Sequence, residues 1–210
     1  ISFSCYEIGG DYYDFLTTPS NHMLVALGDV SGKGTAAALL MSSLHAAIHA
    51  QVAANSSLHQ TITSVNAYLA EITPSNRFIT LFATELDPPT GALRYINAGH
   101  NPPLIGRADG TVQPLSTGGL PLGIMEGAEY EVAEAQLNNG DVLVIYSDGV
   151  SEAVNLQDQE FGTERLASVI QSNLTLSAAG IRDKVESALS AFTETAPAND
   201  DITLVIVKRV

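Results

Sequence analysis

Apolar and polar positions alternate from the first residue, with Ile1, Phe3 and Cys5 leading to Ile8; the pattern breaks at Gly9-Gly10 and resumes in the aromatic run Tyr12, Tyr13, Phe15. A two-residue period puts successive side chains on opposite faces of an extended chain, so this stretch predicts strands. Pro19-Ser20-Asn21 is turn chemistry, and Met23 to Leu27 is a short apolar strand, which together predict an antiparallel hairpin. From Thr35 the composition shifts to Ala, Leu and Met with no Gly or Pro for about five turns, which favours helix by propensity. Apolar residues surround that helix, so it is expected to be buried. Ser57 is placed to cap a second helix reaching Ile72, in which Leu58, Ile62, Val65 and Leu69 recur at helical spacing before Pro74 ends it.

The middle of the chain reads as short strands: Phe78 to Leu86, Leu93 to Ala98, Pro103 to Gly106, Val112 to Leu115, Tyr130 to Ala135 and Val142 to Tyr146. Pro88-Pro89-Thr90-Gly91, Asp109-Gly110 and Asn138-Asn139-Gly140 separate them with hairpin-turn residues, so the sheets are expected to be mainly antiparallel. Two further helices, Thr163 to Ser172 and Ser177 to Phe192, precede a last strand, Ile202 to Val207. Helix pairs between runs of antiparallel strands predict an α+β fold, an αββα sandwich of two mainly antiparallel sheets flanked by helix pairs. No internal repeat, low-complexity tract or linker interrupts residues 1–210, which predicts a single domain. The alternation already under way at Ile1 predicts a strand cut from a longer regulatory protein.

Acidic residues outnumber basic ones by 23 to 9, a formal charge of −14, which repels nucleic acid and anionic membranes. Such a surplus is offset by bound divalent cations, or is simply a soluble acidic surface. Cys5 is the only cysteine, so neither an intrachain disulfide nor a thiolate cluster is available, which fits a reducing cytoplasm. The longest apolar stretch is broken by Ser42, Ser43, His45 and His49, and no membrane crossing is expected.

Three aspartates stand where strands end or begin: Asp29 after Met23 to Leu27, Asp148 after Val142 to Tyr146, and Asp200 before Ile202 to Val207. Carboxylates converging at a sheet rim make an oxygen-only site suited to Mg²⁺ or Mn²⁺. Each is equally an ordinary turn residue, and only convergence makes them a site. The neighbouring glycines Gly10, Gly28 and Gly149 either let backbone approach a ligand or simply form turns.

Taken in order, Gly9-Gly10-Asp11-Tyr12-Tyr13-Asp14, Gly28-Asp29-Val30-Ser31-Gly32-Lys33-Gly34, Asn97-Ala98-Gly99-His100-Asn101-Pro102-Pro103, Tyr146-Ser147-Asp148-Gly149 and Asp200-Asp201-Ile202-Thr203 resemble the bacterial SpoIIE/RsbU branch of the type 2C metal-dependent protein phosphatases. The resemblance covers almost the whole chain. It implies that Asp29 bridges two Mn²⁺ or Mg²⁺ ions, that the Val30 carbonyl adds a ligand, and that Asp148 binds one ion and Asp200 the other. Asp11 matches an acidic residue that holds water on the metal, while Asp14 and Asp201 either orient water or cap a strand. The implied reaction is in-line attack of metal-activated water on a phosphoserine or phosphothreonine phosphorus, with the side-chain oxygen leaving and no covalent phosphoenzyme. Eukaryotic relatives carry a His two residues after the bridging Asp and an Arg before the first acidic motif; here the first place is Ser31, and residues 1–10 contain no Arg. Protonation of the leaving group is then left to water.

The resemblance further implies a phosphorylated regulatory protein as substrate, such as an anti-sigma-factor antagonist, and an N-terminal sensory or regulatory domain, and it leaves a homodimer open. A non-catalytic module that keeps the fold to bind or sense is the alternative, against which the retained Asp29, Asp148 and Asp200 weigh. A Mg²⁺-dependent nuclease or nucleotide hydrolase is disfavoured by the acidic surface. Ser31-Gly32-Lys33-Gly34-Thr35 looks phosphate-binding, yet a P-loop has four residues between its glycines where Gly28 and Gly32 enclose three, and Gly34 stands where Ser or Thr is needed. In the resembled branch this loop opens a helix pair whose position regulates metal binding, so Thr35 to Ile72 is the candidate switch, a plain buried helix being the alternative. His45 and His49 share a helix face without the Glu of a zinc-protease motif, and are expected to be solvent-facing or packed. His100 is expected to make a structural hydrogen bond, and Cys5 to be a buried apolar residue.

Overall fold

A computed structural model describes residues 2–3, 9–198 and 200–210. Cys5 and most of the opening strand lie outside the described residues. The chain divides into two compact units, Ile8–His100 with Ser116–Gln136, and Asn101–Leu115 with Leu137–Val210 and the strand at Ser2–Phe3.

The first unit is built on β2 (Asp11–Thr17), β3 (Met23–Val30), β4 (Ile79–Leu86), β5 (Ala92–Ala98), β8 (Gly118–Gly119) and β9 (Ala133–Gln136). Its strand order is β2-β3-β4-β5-β8, with β9 also pairing β5; only β5 and β8 run parallel. The expected hairpin forms, turning at Asn21, whose φ of 63° is the left-handed conformation that Asn tolerates better than most residues. β3 runs three residues beyond its expected end, so Asp29 and Val30 belong to the strand rather than follow it. Helices α1 (Thr35–Ala53) and α2 (Leu58–Ile72) are inserted between β3 and β4. The Ser57 Oγ accepts the Gln60 N–H while the Gln60 side chain accepts the Ser57 N–H, a reciprocal cap that starts α2 where expected.

Leu40, Leu44, Ile48 and Val52 of α1 join Ile62, Val65 and Leu69 of α2 over Leu24, Ala26, Leu81, Ala83 and Ile96 of the sheet. Each fully buried Leu or Ile contributes roughly 1.5–3 kcal/mol relative to an exposed one. The expectation that α1 is buried all round is corrected: Leu39 is 66% exposed. Alanine-rich sequence is apolar on every side, but only one side of a helix meets a sheet. α1 is long and apolar enough to cross a bilayer by length and composition, yet its buried face packs as that of a core helix.

The second unit carries β1 (Ser2–Phe3), β6 (Leu104–Gly106), β7 (Val112–Pro114), β10 (Val142–Tyr146) and β11 (Ile202–Lys208), in the order β1-β11-β10-β6-β7, all antiparallel. α3 (Asp148–Ser151) leaves β10, and α4 (Gly162–Ser172) and α5 (Ala178–Thr193) follow. Leu166 and Ile170 of α4 and Ile181, Val185 and Leu189 of α5 cover Val142, Val144, Tyr146 and Leu204. β10 is buried at every position, which explains a continuous apolar run where a half-exposed strand would alternate. The α+β class, two mainly antiparallel sheets and a helix pair in each unit match the expectation.

Candidate active site

In the first unit the chemistry lies at one end of β2, β3 and β4. Asp11, Asp29 and Thr80 sit abreast in register, so their side chains share a sheet face opposite the one carrying Tyr12, Val30 and Ile79. Beside them is a cradle of oxygens. A Cβ on Gly10 would lie 3.3 Å from the Val30 carbonyl, 3.4 Å from an Asp29 carboxylate oxygen and 3.6 Å from the Gly32 carbonyl. Two carbonyls and a carboxylate facing one point form the hard, oxygen-only donor set that Mg²⁺ and Mn²⁺ prefer, so these residues fit the implied metal.

The strand β3 and the loop after it are held firmly. The Ser31 N–H donates to the Phe78 carbonyl at 2.9 Å, the Phe78 N–H donates to the Ser31 Oγ at 2.8 Å, and an Arg77 Nη donates to the Ser31 carbonyl at 2.9 Å. The Ser31 hydroxyl is therefore engaged with backbone, in keeping with its reading as no substitute for a histidine acid. Arg77 was not singled out in the sequence, because forty-six residues separate it from Ser31 and nothing local marks the contact. His100 is buried; its ring Nδ1 meets the Thr80 Oγ at 2.9 Å and its N–H donates to the Asn97 side-chain oxygen at 2.7 Å, the structural bonding expected of it.

In the second unit Asp148 is the first residue of α3, separated from β10 by Ser147 alone, and Asp200 lies just before β11. Buried Ser147 fixes the two strand ends together, donating its hydroxyl to the Asp201 carbonyl at 3.0 Å and accepting the Thr203 N–H at 2.9 Å. The Asp201 N–H donates to an Asp200 carboxylate oxygen at 2.9 Å, which orients that carboxylate. Gly149 is required by packing: a Cβ there would stand 2.1 Å from the Asp201 carbonyl. Gly28 is likewise packed, since a Cβ there would stand 2.7 Å from the Thr80 carbonyl, so of the three glycines weighed as ligand approaches only Gly10 faces the oxygen cradle.

A cleft of about 300 Å³ opens beside Asp200, lined among others by Gly149, Glu152 and Glu160. Burial, followed by the charges of Asp148, Glu160 and Asp200, pushes the Glu152 carboxyl above its ordinary range. Glu152 and Glu160 were missed in the sequence, although the four-residue spacing from Asp148 to Glu152 is the signal that brings two side chains to one side of a helical turn. Elsewhere in the first unit, His45 and His49 are not merely solvent-facing or packed: both meet the Asp14 carboxylate.

Residues 19–210 match the family model described as Stage II sporulation protein E (SpoIIE). Phosphoserine phosphatase RsbU of Bacillus subtilis (strain 168) is 28% identical over 210 residues, which are 100% of this chain and 62% of that protein. Among solved structures, the RsbU and RsbW domains of Rv1364c from Mycobacterium tuberculosis align with a TM-score of 0.80 at 29% identity, over 97% of this chain and 56% of that one. The PP2C phosphatase domain of SpoIIE from Bacillus subtilis, solved with a fragment of its regulatory domain, aligns with a TM-score of 0.82 at 22% identity, over 97% of this chain and 59% of that one; it speaks for the fold alone. The chain thus spans less than two thirds of the length of these relatives. With the family model covering nearly all of it, and the ordered acidic motifs placed at strand ends in a fold shared with a PP2C domain, this chain belongs to the SpoIIE family.

Proposed function

We propose that residues 1–210 form a single metal-dependent protein phosphatase domain that hydrolyses phosphoserine or phosphothreonine on a regulatory protein, with an anti-sigma-factor antagonist as the substrate class and the cytoplasm as the location. The observation that carries this reading is the oxygen cradle of Asp29 and Val30 in a chain of the SpoIIE family, whose relative RsbU is a phosphoserine phosphatase. We assign Asp11, Asp29 and the Val30 carbonyl, with Asp148 and Asp200, as the residues that hold two or more Mn²⁺ or Mg²⁺, and Asp29, Asp148 and Asp200 as the catalytic set. Bound there, divalent cations lower the pKa of a water and neutralise phosphoryl oxygens.

The chain's own residues do the positioning. β-sheet register holds Asp11 beside Asp29, the Ser31–Phe78 bonds keep the Val30 carbonyl turned to the cradle, and the Asp201 N–H fixes the Asp200 carboxylate. The Ser31 oxygen accepts the Phe78 N–H and its hydroxyl is far too weak an acid to replace an imidazolium, so the leaving oxygen takes its proton from water. A regulatory domain preceding this one in the full-length protein, and a homodimeric assembly, belong to the same reading; the greater length of the relatives supports the first.

The test is phosphate release from a phosphoserine protein with Mn²⁺, with excess chelator, and with Asp148→Asn. Chelation is expected to abolish turnover and the substitution to lower kcat by about 100-fold or more, a loss of roughly 2.7 kcal/mol of transition-state stabilisation. Full activity in chelator would overturn the mechanism.

A further inference from the structure

We propose that Asp14, His45 and His49 form a Zn²⁺ site that ties helix α1 to strand β2. Tyr12 and Asp14 lie on the helix-covered face of β2 and Asp11 on the opposite face, because side chains alternate along a strand. The site is therefore separate from the oxygen cradle and uses different chemistry.

His45 and His49 are four residues apart on α1, their rings 4.1 Å apart between centroids, so both imidazoles project from one side of the helix. One Asp14 oxygen, Oδ2, receives both: it lies 2.6 Å from His49 Nε2 and 3.4 Å from His45 Nδ1. All three ligand atoms lie within 4.8 Å of one another. In a tetrahedral zinc site with bonds of about 2.0–2.1 Å, neighbouring ligand atoms stand about 3.3 Å apart. The His45–Asp14 separation already has that value, and the His49–Asp14 contact needs to open by about 0.7 Å, a small side-chain rotation.

The surroundings are those of a ligand set. The other Asp14 oxygen, Oδ1, accepts the Phe15 N–H at 2.8 Å, which turns Oδ2 to the histidines, and the Tyr12 hydroxyl donates to Oδ2 at 3.2 Å. Such outer partners orient metal-binding carboxylates. The Tyr12 ring stands edge-on to His45, with centroids 6.0 Å apart, and restricts its rotation. The Asp14 side chain is 18% exposed, and those of His45 and His49 are 52% and 42% exposed, so an ion can enter and water can complete a fourth position. Two imidazoles and one carboxylate suit Zn²⁺; hard Mg²⁺ prefers oxygen donors and retains its water. Zn²⁺ here links β2 to the second half of α1, which otherwise meet through apolar packing and the Tyr12–His45 ring contact, so its uptake stiffens α1 against the sheet.

Calorimetric titration with ZnCl₂ in excess Mg²⁺ tests the site. The wild-type protein is expected to take up one more equivalent of Zn²⁺ than H45A/H49A, and Asp14→Asn, which keeps the shape of the side chain, to weaken that uptake at least tenfold. Zn²⁺ should also raise the melting temperature of the wild type and not of the variants, and Co²⁺ should give the visible bands of a tetrahedral nitrogen–oxygen site. Isotherms that are the same for wild type, H45A/H49A and Asp14→Asn would overturn the proposal, as would uptake abolished by Mg²⁺.

Discussion

Gly10 and Gly149 both precede or follow an aspartate of the proposed metal set, yet space constrains them differently. A Cβ on Gly149 meets the Asp201 carbonyl at 2.1 Å, so Gly149→Ala must move the β10–α3 junction; a loss of about 1–3 kcal/mol in chemical denaturation is expected, together with loss of activity. A Cβ on Gly10 meets oxygens at 3.3 and 3.4 Å, a tight fit that a shift of a few tenths of an ångström relieves, whereas an incoming cation cannot share that space. Gly10→Ala is therefore expected to leave stability within about 1 kcal/mol of the wild type while raising the Mn²⁺ concentration needed for activity at least tenfold. An equal stability loss in both variants would remove the distinction. The sequence displayed both glycines, but only the carbonyls brought near by β-pairing say which of them guards a site. Asp14 shows the same limit: its partners are 31 and 35 residues away, and nothing local in an alternating strand announces two histidines on a later helix.

At the scale of elements, α1 separates burial from composition. Leu44 is fully buried and Leu39 is 66% exposed, although both are leucines in one alanine-rich helix. Leu44→Ala is expected to cost about 2–5 kcal/mol in denaturant unfolding, and Leu39→Lys less than about 0.5 kcal/mol. α2 and α5 were legible almost to the residue because capping residues mark their starts, Ser57 and Ser177 accepting the Gln60 and Gly180 N–H groups, and α4 was legible as closely although no side chain caps it. β8 and α3 were not legible, since two and four residues carry no period. β8 depends instead on Gly118, where a Cβ would stand 2.0 Å from the Asn97 carbonyl.

For the whole molecule, the formal charge of −14 predicts self-repulsion that eases as acid protonates the carboxylates, but Asp141 works in the opposite direction. Burial alone raises its carboxyl; the backbone N–H groups of Asn138 and Ala108 and the Arg107 guanidinium, 2.9 Å away, outweigh that and hold it below the ordinary value. A carboxyl lower in the folded than in the unfolded chain contributes stability above its unfolded pKa and loses it as pH falls through the folded one. Unfolding free energy should therefore drop on the acid side of the ordinary aspartate range, and Asp141→Asn should flatten that drop; an unchanged acid limb would show that other groups set it.

Ser31 and Phe78 clasp each other at the base of everything between them. β3 and β4 are hydrogen-bonded neighbours, so the forty-odd residues of the two helices leave the sheet and return to it at one point, like a lasso drawn closed beside Val30. That neck adjoins the Val30 carbonyl, one of the oxygens around Gly10, so the α1–α2 segment leaves the sheet at the cradle itself.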